Sequence, residues 1–281
     1  MLSKILIYTG VGLMLFAGGL SLVRKNITPK TAIRTLSTSQ KASANPVPKS
    51  ININDMTNQL DSVTEQYPNL DIGVAVTDLK TKQSYLYGDK AAYYGASTTK
   101  ILVATMYLHE VETGKRKITD RVDGVSSASV IKAMIEQSDN DAWMSLRKKL
   151  GNANTDVYAR SIGLSSFTSK DNLINISDMS LLLQKLYDGE LINEEHTNMV
   201  LGHMKKSIRN YIAPALGSEY TVYHKAGWLD DRLMDTAIIE HNNHKYVLVI
   251  FSKTFNDNYD FNEGSDVFGA ITKVVDAEIS N

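Results

Sequence analysis

The sequence predicts an α+β fold: one antiparallel sheet of about five strands, with two terminal helices on one face and an all-helical subdomain on the other. Two observations lead to it. Strand-like runs follow one another as hairpin-linked neighbours, which forces antiparallel pairing. Helix-like runs come in one central block, whereas a doubly wound sheet needs them to alternate with strands.

The elements follow in chain order. "INDMTNQLDSVTEQY" places Ile53, Met56, Leu60 and Val63 on one helix face before Pro68 stops it. "DIGVAVTDL" and "QSYLYG" read as two strands, with a hairpin turn around Lys80-Thr81-Lys82. "SASVIKAMIEQ", "NDAWMSLRKKLG" and "ISDMSLLLQKLYDGEL" space apolar residues by three and four, with Gly151 and Gly189 as terminators. "EYTVYHKAG", "MDTAIIEHN" and "KYVLVIFSK" are three further strands, the last two joined by a tight turn at Asn242-Asn243. "DVFGAITKVVDAEI" is the closing helix.

Composition narrows the chemistry. With 281 residues and 43% hydrophobic content the chain can bury a core without staples. Lys plus Arg number 30 against 31 Asp plus Glu, so a net charge of -1 gives no general attraction to nucleic acid, and no nucleic-acid partner is expected. The absence of cysteine removes thiolate catalysis, thiolate metal sites and disulfides together. The six histidines show no metal-type spacing, and glycines such as Gly88 and Gly95 form no phosphate cradle, so no metal or cofactor is expected.

The ends of the chain divide by composition. Ile5 to Val23 carries no charge and is about long enough to cross a hydrocarbon core of ~30 Å, which predicts a membrane anchor within residues 1-25. A cleaved secretory signal, with Ala17, Gly18 and Gly19 near its cleavage site, is the alternative. Either reading exports the rest of the chain. Arg24, Lys25, Lys30 and Arg34 follow the run and only Lys4 precedes it, so the positive-inside rule argues for the opposite orientation, and export is inferred from function. Residues 26-50, rich in Ser, Thr, Lys and Pro, read as a disordered linker to a folded domain spanning 51-281. The expected location is extracytoplasmic, anchored or secreted.

Within that domain, "YGASTTKILVATM" sets Ser97 at the mouth of an apolar helix and Lys100 three residues on, on the same helix face. A plain N-cap would account for Ser97 alone. A partly buried lysine beside it has a chemical use, because desolvation lowers its pKa and the neutral amine can then take the hydroxyl proton. Ser129 with Lys132 and Ser145 with Lys148 repeat the spacing as ordinary surface pairs. What sets Ser97 apart is the later occurrence of Ser138-Asp139-Asn140 at a break between helices and Lys225-Ala226-Gly227 at a strand end.

S-x-x-K, S-D-N and K-[ST]-G in this order are the signature set of class A β-lactamases and penicillin-binding proteins. From Ile51 to the C-terminus the chain resembles that serine hydrolase family, and the resemblance implies the β-lactamase/D,D-peptidase-like form of the α+β fold. It further implies that Ser97 is the acylated nucleophile, Lys100 its proton acceptor, and Ser138 the proton shuttle to the leaving nitrogen. Lys225 would hold Ser138 and attract the substrate carboxylate, and Asn140 would hold the substrate amide. Gly227 and Trp228 would continue the substrate-binding strand, with the N–H groups of Ser97 and Trp228 forming an oxyanion hole. The implied substrates are β-lactams or the D-alanyl ends of peptidoglycan peptides. Like-charge repulsion between the two lysines is expected to favour a neutral amine.

Two departures qualify the resemblance. Ala226 stands where the family has Ser or Thr, removing a hydroxyl for the substrate carboxylate, for which Arg232 offers a substitute. No glutamate lies between Glu136 and Glu190, where class A enzymes keep the base that activates the deacylating water. Asp171 and Asn175 reproduce the acid-to-asparagine spacing of that loop, although a solvated or capping role is the plainer reading of Asp171. Slow deacylation follows. A catalytically idle relative that binds cell-wall peptide or a protein partner through the same site remains the alternative.

Overall fold

The computed structural model describes residues 52–255 and 259–280; the anchor or signal and the linker expected from the sequence lie outside them. In chain order the elements are α1 (Ile53–Thr64), β1 (Leu70–Asp78), β2 (Ser84–Gly88), β3 (Tyr93–Tyr94), α2 (Lys100–Glu112), β4 (Arg121–Val122), β5 (Val125–Ser126), α3 (Ser127–Glu136), α4 (Asn140–Leu150) and α5 (Asn152–Ser161). Then come β6 (Leu173–Ile174), α6 (Ile176–Tyr187), α7 (Glu194–Met204), a 3₁₀ turn (Ala213–Ala215), β7 (Thr221–Leu229), β8 (Arg232–His241), β9 (His244–Thr254) and α8 (Phe261–Ser280).

Five strands form one antiparallel sheet in the order β2-β1-β9-β8-β7. The hairpins fall where the sequence predicts them: β8 and β9 pair from Arg232↔Lys253 to His241↔His244 across a turn in which Asn242 takes φ 53°, a left-handed value that asparagine tolerates. The chain's last strand takes the centre of the sheet, between β8 and the first strand, with Val74 opposite Ile250.

Alternation along each strand sorts the side chains. Val74, Val76, Leu248, Ile250, Leu233 and Ala237 pack toward α1 and α8, while Ala75, Val247, Val249, Phe251, Met234 and Ile238 pack toward the helical block of α2 to α7. The terminal helices share one face, as expected. In α8, Val267, Phe268, Ile271 and Val275 are fully buried at helical spacing. Each is worth about 1.5–3 kcal/mol, against less than about 1 kcal/mol for the helix propensity of any one residue, so packing decides this helix.

The helical block is set by caps. Ser126, Asp139, Asn175 and Asn193 accept hydrogen bonds from the first turns of α3, α4, α6 and α7, and Gly151 ends α4 at φ 78°. Two of its helices, α5 and α7, are absent from the sequence reading. Among the described residues no helix is long and apolar enough to cross a membrane.

Candidate active site

The candidate site lies on the seam where the N-terminus of α2, the α3–α4 turn and the end of β7 meet. Ser97 sits in a tight turn ahead of α2. Its carbonyl accepts from Lys100 N at 3.3 Å, and Gly95 O accepts from Thr98 N at 3.0 Å, an i to i+3 pattern. Ser97 is therefore no N-cap: that position is Thr99, whose side chain caps nothing. Ala96, just before the serine, has φ 45°, a conformation costing a residue with a Cβ on the order of 1–3 kcal/mol.

Asn172 holds that strained turn. Its Nδ2 donates to Ala96 O at 3.0 Å, its Oδ1 accepts from Thr99 Oγ1 at 2.7 Å, and its carbonyl accepts from Gly95 N at 2.7 Å. It is buried and itself left-handed at φ 52°. Sequence reasoning passed over it; an asparagine in a loop signalled only a turn.

Lys100 and Lys225 are 1% and 0% exposed, and both reach Ser138. Lys225 Nζ donates to Ser138 Oγ at 2.9 Å and to Ala226 O at 3.2 Å. Lys100 Nζ donates to Ser138 O at 2.6 Å, to Asn140 Oδ1 at 2.7 Å and, at 3.4 Å, to Ser138 Oγ. No hydrogen bond runs from Lys100 Nζ to Ser97 among the described residues, so the amine is turned toward the α3–α4 corner. Ser138 holds that corner at φ 58°, like Ala96 and Asn172 a left-handed residue with a side chain. Asp139 follows as the N-cap of α4, accepting from Ala142 N at 2.9 Å, which fixes Asn140 as the first residue of that helix.

Gly227 is where β7 touches the serine turn. A Cβ there would lie 2.7 Å from Ser97 N and 2.9 Å from Ala96 Cβ, so only glycine permits this approach. Gly227→Ala is expected to push the strand off the turn and cost about 1–3 kcal/mol of stability, the usual penalty of overpacking. The shift in melting temperature, compared with an unchanged far-UV spectrum, measures this. Trp228 follows; its ring packs on the terminal-helix side of the sheet beneath Arg209, whose guanidinium carbon stands 3.7 Å from the ring centroid.

Other expected site residues fall elsewhere. Arg232, the substitute for the hydroxyl missing at Ala226, pairs with Asp231 (Nε to Oδ1, 2.7 Å) because the two are adjacent at the β7–β8 turn; Arg209, remote in sequence, is the guanidinium near Lys225. Asp171 is exposed and makes no hydrogen bond among the described residues, and Asn175 caps α6 by accepting from Asp178 N at 2.8 Å. Their spacing reflects a turn and a cap.

The electrostatics favour deprotonation. Lys225 is lowered to about 7, chiefly by burial, with Lys100 and Arg209 adding to the shift and Asp235 opposing it. Burial lowers Lys100 to about 8, with Asp139 opposing. Desolvation, more than the like-charge repulsion expected from the sequence, is the main cause for both. Each folded value lies below the ~10.4 of a free lysine, so the cost of burying the ammonium is present at low pH and disappears as pH rises through 7 toward 10. Lys225→Met should therefore be stabilised relative to the parent at pH 6 and lose that advantage by pH 10; melting temperatures of both proteins across this range test it.

A five-stranded sheet backed by its terminal helices, with a helical subdomain closing over a serine-bearing turn, is the architecture of a β-lactamase-like serine hydrolase. The chain belongs to the Beta-lactamase enzyme family, whose model matches residues 55–279. Among curated proteins nothing matches it. Among solved structures it is similar to a variant of PBP-A in an acyl-enzyme complex with penicillin G, at TM-score 0.73 and 21% identity over 79% of this chain and 95% of that one. A β-lactamase from Desulfarculus baarsii gives TM-score 0.75 at 16% identity, covering 83% of this chain and 100% of that one. An ancestral (GNCA) class A β-lactamase gives TM-score 0.72 at 20% identity, covering 78% and 98%. At these identities the structural likeness speaks for the fold.

Proposed function

We propose that the protein is an exported serine hydrolase, acylated at Ser97 by β-lactams or by the D-alanyl ends of cell-wall peptides, and slow to release the acyl group. One observation carries this reading: two buried lysines converge on Ser138, beside a half-buried serine held in a strained turn.

In the proposed step, Ser97 Oγ attacks the substrate carbonyl carbon, and its proton passes to the neutral amine of Lys100, which swings from the Ser138 corner. Catalytic hydrogen bonds are often unmade in the free enzyme. The C–N bond breaks as Ser138 Oγ–H gives its proton to the leaving nitrogen, and Lys225 or Lys100 restores it. The N–H groups of Ser97 and Trp228 receive the oxyanion.

Both amines are lowered and share the Ser138 hydroxyl, so they titrate as a pair and a substrate can decide where its last proton sits. A substrate carboxylate beside Lys225 and Arg209 would hold the proton there and leave Lys100 as the neutral base. Asn140 would turn its amide toward the acyl side chain.

The family and the penicillin complex of the PBP-A variant support the β-lactam reading. The exposure of Asp171 and the lack of a glutamate between Glu136 and Glu190 support slow deacylation. Export rests on the uncharged run from Ile5 to Val23. Incubating the domain with labelled penicillin and measuring intact mass tests the reading: an adduct mapping to Ser97 and absent from Ser97→Ala is expected. Absence of both adduct and turnover in the parent would remove it.

A further inference from the structure

The turn of residues 168–173 is tied down on two sides. Thr168 and Leu173 close it with reciprocal backbone hydrogen bonds of 3.1 Å, Asp156 Oδ1 of α5 accepts from Ser169 N at 2.6 Å, and Arg147 of α4 donates to Ser169 O. Its acid, Asp171, is exposed, whereas Asn172 is 3% exposed and bonded to the segment that carries Ser97. The turn thus couples the helical block to the residues around Ser97.

What Asn172 fixes is a peptide plane. Ala96 O accepts from Asn172 Nδ2 at 3.0 Å, and Thr99 Oγ1, with a single proton to give, lies nearer Asn172 Oδ1 (2.7 Å) than Ala96 O (3.2 Å). The amide is therefore the main donor to that carbonyl. No peptide bond among the described residues is cis, so the Ala96 C=O and the Ser97 N–H are coplanar and point in opposite directions. Holding the oxygen toward Asn172 directs the Ser97 N–H away from it. Ala96, at φ 45°, would otherwise relax and rotate the plane. The Ser97 N–H has no acceptor among the described residues, and β7 passes against it: a Cβ on Gly227 would come within 2.7 Å of Ser97 N. An unused backbone donor beside a strand end suits an oxyanion, provided its direction is set before the charge develops.

From this arrangement we infer that Asn172 is a positioning residue for the oxyanion: by holding Ala96 O it aims the Ser97 N–H at the oxygen that becomes charged when Ser97 Oγ bonds to the substrate carbonyl carbon. The inference rests on the reading of Ser97 as the acylated residue. In that step the Oγ–C bond forms, the carbonyl π pair moves onto oxygen, and the serine proton passes to the Lys100 amine. Asn172 touches none of these atoms. It acts through the peptide, so its loss slows the step at saturation and leaves the preceding binding of substrate unchanged.

The test compares Asn172→Gly and Asn172→Asp with the parent. Glycine takes φ 52° freely and keeps the carbonyl that accepts from Gly95 N, while aspartate keeps an acceptor for Thr99 but sets a second acceptor against Ala96 O. Stopped-flow labelling with fluorescent penicillin separates the acylation rate constant at saturation from the half-saturating concentration. Phenylboronic acid supplies the second readout: its boron bonds to Ser97 Oγ as the serine proton leaves, and the tetrahedral anion puts an oxygen where the oxyanion would stand. In both variants the saturated rate constant should fall about 10²–10³-fold, the half-saturating concentration should stay within about threefold, and the boronate inhibition constant should rise about tenfold or more, with label still on Ser97. A merely structural role would lower the melting temperature and the labelled fraction and move neither constant. The aspartate variant serves as the measurement should the glycine variant not fold. A saturated rate constant or a boronate constant that stays at the parent's value overturns the role of Asn172 alone, whereas no labelling of the parent overturns both this inference and the function beneath it.

Discussion

Lys100→Met is expected to slow acylation of Ser97 by penicillin about 10²–10⁴-fold, the range that a positioned general base contributes. The methionine keeps the length and apolar stem of a side chain that is 1% exposed, so α2 should remain folded and the loss should be chemical. The parent's pH profile carries the same argument. Lys100 near 8 and Lys225 near 7 share the Ser138 hydroxyl between them. Below about pH 7 both are ammonium ions and no base is present. Above about pH 8 both are neutral, and the charge that would meet a substrate carboxylate is gone. The active form holds one proton between the two, so the apparent second-order rate of acylation should be bell-shaped, with its maximum between those limbs. Stopped-flow rates from pH 5.5 to 9.5 read it directly. A flat profile, or a methionine variant within a few-fold of the parent, would show that neither amine takes the serine's proton.

The parts of the structure that could be read from the sequence are those fixed by local chemistry. Strands β8 and β9 announce themselves because each is bounded by turn residues and largely buried on both faces, and β9 carries the continuous apolar run Tyr246 to Phe251. The helices α5 and α7 do not. "NANTDVYARS" buries only Thr155, Tyr158 and Ala159, a stripe too narrow and too poor in large apolar residues to show a period against Asn, Thr and Asp. The motif lysines and serines can be picked out of the sequence as a set, and the structure joins Lys100 to Ser138 and Asn140 and Lys225 to Ser138 by hydrogen bonds. What holds that set was not legible. Left-handed Ser138 and Ala96 are tertiary outcomes at residues with no preference for that conformation, and Asn172 acts across 76 residues on Ala96. Sequence proximity also misled once, at Arg232: its neighbour Asp231 captures it, while Arg209 arrives from another segment.

Asp235→Leu should remove about 3–5 kcal/mol of stability, the cost of deleting one side of a buried charged network. The carboxylate is 0% exposed on β8. Its Oδ2 accepts from Tyr211 N at 2.8 Å and Ile212 N at 3.2 Å, and its Oδ1 accepts from Thr236 N at 2.9 Å and stands 3.7 Å from His224 Nδ1. Leucine fills the volume but leaves those donors buried with nothing to meet, at about 1–3 kcal/mol each. The loss should appear as a lower urea midpoint with unchanged slope, because the same surface unfolds. Asp235→Asn keeps one acceptor oxygen and should lose less. The functional consequence has a definite sign. Asp235 raises Lys225, so its removal lets that lysine fall below 7 and carries the lower limb of the acylation profile with it. It also frees the segment from Arg209 to Ile212 from β8, so Arg209 should leave the Trp228 ring and the concentration of penicillin giving half-maximal acylation should rise. A midpoint unchanged in the leucine variant would mean that those backbone donors find other partners, and that β8 does not hold Arg209 beside the strand end.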